Sequence, residues 1–162
     1  MKKKLKQTFD FNTMDILAVA DKLAGTNVTK VLIKILNKKS IQKYITDLNT
    51  KVQLFDYGED SRGVQLAAIG GGYAPSTIRI KRKKNQPANR VTLKDTGDFY
   101  KSFDITVHAN ASFTIGADTD KGDTDLTDRW GSEIVGLNGE HVTLVLELLE
   151  EEFYKEVLKG VK

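Results

Sequence analysis

Phe103-Asp104-Ile105-Thr106-Val107-His108, followed by Asn110-Ala111 and by Phe113-Thr114-Ile115-Gly116, is the stretch whose reading decides the fold. Phe103, Ile105 and Val107 alternate with Asp104, Thr106 and His108, the period of a strand with one buried face. Asn110-Ala111 supplies a turn, and Phe113 and Ile115 resume the alternation. The spacing predicts a β-hairpin over 103–116. Immediately upstream, Leu93-Lys94-Asp95-Thr96-Gly97-Asp98-Phe99-Tyr100 reads as a turn into a short helix. Asp95 or Thr96 is the expected cap, and Gly97 permits a tight approach or a positive φ.

Working outward, the periodicity changes from strand to helix. Glu140–Lys159 carries Val142, Leu146, Leu149, Phe153 and Val157 on one stripe, an amphipathic closing helix. A shorter helix is expected over Leu126–Ile134, ahead of Gly136-Leu137-Asn138-Gly139. On the other side, Pro75 suits the first turn of a helix, and Ser76–Lys84 reads as a short basic helix ended by Gln86-Pro87-Ala88-Asn89. Residues 58–73 read mostly as loop, with a short strand at Val64–Ile69 and a hinge at Gly70-Gly71-Gly72. The first third reads as helical. Thr13 opens a series through Leu23 with Gly25 as a stop. Val28, Val31, Leu32 and Ile35 form a second series with a Lys-rich opposite side. Ser40 caps a third, carrying Ile41, Tyr44, Ile45, Leu48, Val52 and Phe55. The expectation is an α+β chain: a helical N-terminal arm over 1–57, and a core over 58–162 built from a small antiparallel sheet with a hairpin and a long C-terminal amphipathic helix.

Composition bounds the function. The 162 residues are 40% apolar and 29% charged, an ordinary globular balance. There is no cysteine, so neither disulfides nor thiolate–metal sites exist. The start, Met1-Lys2-Lys3-Lys4-Leu5-Lys6, resembles the charged start of a signal peptide, but Gln7, Thr8, Asp10, Asn12 and Asp15 interrupt any apolar core behind it. No stretch is apolar enough to span a bilayer. The net charge is only +3, below that of a dedicated nucleic-acid binder. It is unevenly placed. The N-terminus and Arg79–Lys84 are basic, whereas Asp118–Asp128 and Glu147–Glu152 are acidic. Opposite poles on one small domain suit stacking against copies of itself or against charged neighbours.

Residues with chemistry of their own are sparse. His108 and His141 carry no partner motif. The loop from Asp118 invites a calcium reading, but the helix–loop–helix pattern needs Gly at position 6 and Glu at position 12, where this chain has Asp123 and Arg129. Gly70-Gly71-Gly72 lacks the Gly-Lys-Ser/Thr ending of a phosphate loop. No cofactor or metal is expected. Arg79, Lys81, Arg82, Lys83 and Lys84 place five cations in six residues, a density suited to phosphates or to an acidic partner. Trp130, beside Gly131, reads as a core or interface anchor.

Three segments in order carry a resemblance. They are Tyr73-Ala74-Pro75-Ser76-Thr77-Ile78-Arg79 with its basic continuation; Leu93–Phe103 with Asp95-Thr96-Gly97 leading into a hairpin; and Arg129-Trp130-Gly131, then Ile134-Val135-Gly136-Leu137-Asn138, before the closing helix. Together they resemble the tail-completion or virion-morphogenesis proteins of tailed bacteriophages, the small head–tail joining or neck proteins. The resemblance covers roughly 73–158. Leu126-Thr127-Asp128 departs from the family's frequent Tyr-Ala…His, and Val135 stands where Phe is common. It implies a non-enzymatic virion subunit, made in the bacterial host cytoplasm and arranged in a ring. The implied partners are copies of itself and virion proteins of the portal, neck or tail, with non-specific DNA contact and no membrane. The alternative is a nucleic-acid-binding accessory protein acting through 79–84. An aspartic protease built on Asp95-Thr96-Gly97 is disfavoured, because that motif is followed there by a small residue and its strand-rich fold has no room for the helical first third.

Overall fold

The alternation at 103–116 forms the expected hairpin. In the computed structural model, which describes residues 4–9, 27–122 and 124–159, β2 (Asp104–Val107) pairs antiparallel with β3 (Phe113–Asp118). The turn closes through His108 N–H to Ser112 O (2.9 Å) and Ala111 N–H to His108 O (3.0 Å). Asn110 Oδ1 accepts from both the amide and the hydroxyl of Ser112.

The sheet has a third strand that the sequence reading missed. β1 (Lys4–Phe9) pairs antiparallel with the other edge of β3, so the order is β1-β3-β2 with β3 in the middle. The expected helix from Thr13 to Leu23 lies outside the described residues. In β1, Leu5, Gln7 and Phe9 are half-buried, while Lys4, Lys6 and Thr8 are exposed. That is a strand period, where the sequence reading expected part of a helical arm over 1–57. Phe9 stacks on Phe113 with centroids 5.0 Å apart, and Thr8 and Thr114 share a hydroxyl contact of 2.9 Å. At Gly116, with no side chain on the central strand, Lys4 of one edge reaches Asp104 of the other at 3.0 Å. A Cβ there would stand 2.9 Å from Asp104 Oδ1.

Helices cover the sheet. α1 (Val28–Leu36) is capped by Asn27, whose Oδ1 accepts from Lys30 N–H at 3.0 Å. α2 (Lys39–Asp47) begins without a side-chain cap, contrary to the expected role of Ser40. It runs straight into a π-helical segment, Leu48–Tyr57, of a length rarely seen for that geometry. Gly58 ends it at φ +69°, its α-carbon so close to Val91 that a Cβ would meet the Val91 carbonyl at 2.8 Å. The 64–69 strand is not there. α3 (Leu66–Gly70) occupies it, with Leu66 fully buried and only a single bridge between Glu59 and Gln65; a five-residue apolar run does not by itself distinguish the two periods. α4 is Pro75–Lys83, with Pro75 in its first turn, and α5 is the short Asp98–Lys101. The helix expected over 126–134 is split into α6 (Leu126–Trp130) and a 3-10 turn, Ser132–Ile134, by Gly131 at φ +79°. α7 runs Gly139–Lys159, as its stripe predicts, with Asn138 Oδ1 accepting from His141 N–H at 2.9 Å.

One buried cluster runs from Leu32 and Ile45 through Leu54, Phe99, Phe113 and Ile134 to Leu149 and Phe153, so it draws on both sides of position 58. The Lys-rich side of α1 is not simply solvated. Lys34 on α1 and Lys38, the residue just ahead of α2, clamp α7 through Glu156 (2.5 and 2.9 Å), and Lys38 also reaches Glu152 (2.8 Å). Three lysine hydrogen bonds, from Lys34, Lys38 and Lys159, hold the Glu156 carboxyl down at about 2.

Polar residues tie this core together. Gln53 is fully buried. Its Nε2 donates to Gly136 O (2.8 Å), and its Oε1 accepts from Asn138 N–H (2.9 Å) and lies 3.2 Å from His141 Nδ1. The shared acceptor makes Nδ1 the protonated nitrogen of that ring. Burial holds His141 below its ordinary value, so the ring is neutral at neutral pH. Asn49 Oδ1 accepts from Gly136 N–H at 2.8 Å, and Gln7 Oε1 from Leu137 N–H at 3.0 Å. Gly136, at φ +132°, is the residue that admits Gln7, since a Cβ would lie 1.6 Å from Gln7 Oε1. Gln53→Leu keeps the volume but orphans the buried Gly136 carbonyl and the half-buried Asn138 amide. We expect a loss of about 2–4 kcal/mol in urea unfolding, against less than about 0.5 kcal/mol for an exposed change such as Lys39→Ala.

Candidate functional site

Tyr73, Leu93, Asp95, Phe99 and Trp130 come from segments far apart in sequence, yet they line one open cleft of about 1130 Å³. Its walls are α4, the turn ahead of α5, the 118–122 loop and α6. Each of the three segments that carry the resemblance contributes residues here, the third through Trp130 alone, since Ile134, Val135 and Leu137 lie in the core.

The cleft is built from hydrogen bonds around Thr92, which is fully buried. Thr92 N–H donates to Tyr73 Oη (2.9 Å), and Tyr100 Oη donates to Thr92 O (2.5 Å). Burial pushes the Tyr100 phenol well above its ordinary range, so it stays a donor. Phe99, almost wholly buried, meets Phe103 edge-to-face at 5.1 Å and fastens α5 to the hairpin. Ser102 Oγ accepts from Asp118 N–H at 2.9 Å and ties α5 to the end of β3.

The Asp95-Thr96-Gly97 turn works differently from the expected cap. The residue at the N-cap position of α5 is Gly97 itself, at φ +92°, and no side chain caps the helix. Thr96 Oγ1 donates to Asp98 Oδ2 at 2.6 Å. Asp95 reaches back to α4, where Lys84 Nζ meets its Oδ1 at 2.7 Å. Lys84 holds the Asp95 carboxyl below its usual range, and the Thr96 hydroxyl, helped by Lys101 and Lys121, does the same for Asp98. Both are therefore fixed as carboxylates, a state suited to binding cations rather than to donating protons.

The basic run separates into two groups. Lys81 was expected to face a partner, but it is buried. It lies three residues after Ile78 and four after Thr77, on the inward face of α4, and that helical phase is the signal the sequence reading passed over. Lys81 Nζ donates to Gln86 Oε1 (3.0 Å) and to the Lys94 carbonyl, and it sits over the Tyr73 ring at 5.1 Å. Lys84 is spent on Asp95. Arg79, Arg82 and Lys83 are exposed and make no ion pair among the described residues. Ile80 sits beside them, 52% exposed. Two further cations stand at the site, Lys94, which continues the basic patch in the sequence, and Lys121, which the sequence reading did not mark. Lys94 lies over Phe55 at 4.7 Å, and Lys121 over Phe99 at 5.8 Å.

Trp130 is half-buried at the cleft's end. Gly70, expected as part of a hinge, is its floor: a Cβ there would lie 2.7 Å from Trp130 Nε1. Arg129 donates to Gly70 O (2.7 Å) and stacks on the indole at 4.7 Å. In the acidic loop, carboxylates turn onto backbone amides. Asp120 Oδ1 accepts from Gly122 N–H (2.7 Å), and Asp125 Oδ1 from Thr127 N–H (2.9 Å). Among the described residues no group of three or more His, Asp or Glu is placed to hold a metal ion. Both histidines lie away from the cleft. His108 Nε2 contacts Thr114 Oγ1 at 2.7 Å, and His141 belongs to the Gln53 network.

Comparison with protein-family models, with curated proteins and with solved structures finds no match to this chain.

Two outcomes test this geometry. Lys81→Ala removes two hydrogen bonds of a buried cation and should cost about 1.5–3 kcal/mol in chemical unfolding, whereas Lys83→Ala should stay within about 0.5 kcal/mol. Gly97→Ala meets no atom within 4 Å, so its whole cost is the backbone at φ +92°. That cost is about 1–2 kcal/mol, read as a melting temperature lowered by roughly 2–8 °C.

Proposed function

We propose that this chain is a non-enzymatic structural subunit of a tailed-phage virion, a head–tail connector, neck or tail-completion protein that works as one copy in a ring. The observation that carries the reading is the convergence of the three resembling segments on one cleft. Their shared residue types have a shared task there. Tyr73 and Leu93 shape its wall, the Asp95-Thr96-Gly97 turn braces α4 through Lys84, and Trp130 closes the far end on Gly70. The walls mix aromatic faces with paired charges, the texture of an interface centre and rim. The partners on this reading are further copies of the chain and virion proteins of the portal, neck or tail, assembled after synthesis in the host cytoplasm.

Nucleic-acid binding through 79–84 is the weaker reading. Two of its five cations, Lys81 and Lys84, are committed within the subunit. The purified chain should form closed rings in negative stain, with a light-scattering mass that is a multiple of 18.1 kDa. A monomer whose DNA affinity falls log-linearly with salt would replace this reading with the second. So would a nuclease or peptidase activity abolished by Asp95→Asn replace it with an enzymatic one.

A further inference from the structure

The outward faces of α4 and α7 carry matched charge patterns. On α4, Arg79, Arg82 and Lys83 stand at positions i, i+3 and i+4, all exposed and without an ion pair among the described residues. On α7, Glu147, Glu150 and Glu151 stand at the same three spacings, all exposed. Positions three and four apart share a helix face and lie about 4.5 and 6 Å along its axis, so the two triangles have the same dimensions. Glu151 holds Lys155 at 2.7 Å, but Glu147 and Glu150 make no ion pair among the described residues. The acidic residues that face α1, Glu152 and Glu156, are used by Lys34 and Lys38. Each triangle also has exposed apolar neighbours: Ile80 (52% exposed) on α4, and Tyr154 (41%) and Leu158 (67%) further along the same face of α7.

We infer that the α4 ridge of one copy docks on the outward face of α7 of the next copy. The inference rests on the ring reading and names the contact that would build it. A patch that meets a different patch on its neighbour is a head-to-tail interface, the kind that repeats around a ring. Opposite charges select register and speed encounter, while Ile80 and Tyr154 supply the apolar area that surface ion pairs by themselves lack. DNA is the less suited occupant, because each copy presents only three uncommitted cations on α4 and they flank an exposed isoleucine.

The test uses the full-length chain and sedimentation equilibrium. Arg79→Glu with Lys83→Glu should weaken self-association by more than roughly tenfold, and Glu147→Lys with Glu150→Lys should do the same. Circular dichroism verifies that each variant is folded, and the milder pair Arg79→Gln with Lys83→Gln should weaken association several-fold. All four reversals in one chain, or an equal mixture of the two charge-reversed variants, should restore association to about the wild-type level, because each acidic α4 then meets a basic α7. Folded reversed pairs that associate like wild type, or a failure of both the combined chain and the mixture to recover, overturn the inference while leaving the ring reading in place. Loss of salt-steep DNA binding in Arg79→Glu with Lys83→Glu, with association unchanged, assigns the ridge to DNA and also overturns it. A wild-type chain that stays monomeric at every concentration overturns the ring reading itself.

Discussion

Gln53 joins parts of the chain that lie far apart in sequence. It projects from the π-helical segment into the buried core and there meets Gly136, Asn138 and His141, the entry to α7. Without those contacts, the buried backbone groups ahead of α7 would go unpaired, a cost comparable to a sizeable share of a domain's net stability. Asn49 and Gln7 complete the set, so the π-helix, β1 and the root of α7 converge on two consecutive residues, Gly136 and Leu137. Gly136 is the point where this convergence is tightest, because the Gln7 amide fills the space a side chain would need. The position of α7, and with it the acidic face that α7 turns outward, follows from this network.

A second theme is the sorting of charge. Lys34 on α1 and Lys38 just ahead of α2 neutralise carboxylates on α7, and Lys84 does the same for Asp95 at the cleft wall, whereas Lys81 is held by the Gln86 side chain and the Lys94 carbonyl. Ion pairs of this kind contribute more to the choice of register than to stability. What remains uncommitted is a smaller set, in which exposed cations and exposed carboxylates stand on different helices. Charge that a fold does not use internally is charge available for association, and that separation is what supports the proposed assembly role.

The cleft reverses the expected division of labour in its central motif. Asp95-Thr96-Gly97 looks locally like a helix cap, yet its aspartate braces α4 and its glycine supplies a left-handed corner. The motif positions a wall and does not create a reactive group. The carboxylates at 95 and 98 are held ionised by Lys84 and by Thr96, and the aromatic rings beside them carry lysines over their faces. These hydrogen bonds and ring contacts restrict the side chains of the cleft, which lowers the entropy that ordering them would cost.

Much of this was legible in the sequence, for a definite reason. Strand alternation at 103–116, the stripe of α7, Pro75 at the first turn of α4 and the need for a special backbone at Gly97 are all set by neighbours within a few residues. The second and third helices of the first third were legible for the same reason. The misreadings share the opposite cause. β1 shows its alternation only once β3 supplies an edge, and until then its residues read as part of the helical arm. Leu66–Gly70 is helix, with Leu66 buried in the core and Gly70 against Trp130, contacts that a five-residue apolar run does not announce. Lys81 looked like one more surface cation, although its glutamine and carbonyl acceptors, five and thirteen residues downstream, take it out of solvent. Local physics, carried by periodicity and turn chemistry, was determined by the sequence alone. Which polar and charged groups are buried, paired or left outward was decided by the tertiary structure, because hydrogen-bond partners and desolvation come from residues the chain brings together only when it folds.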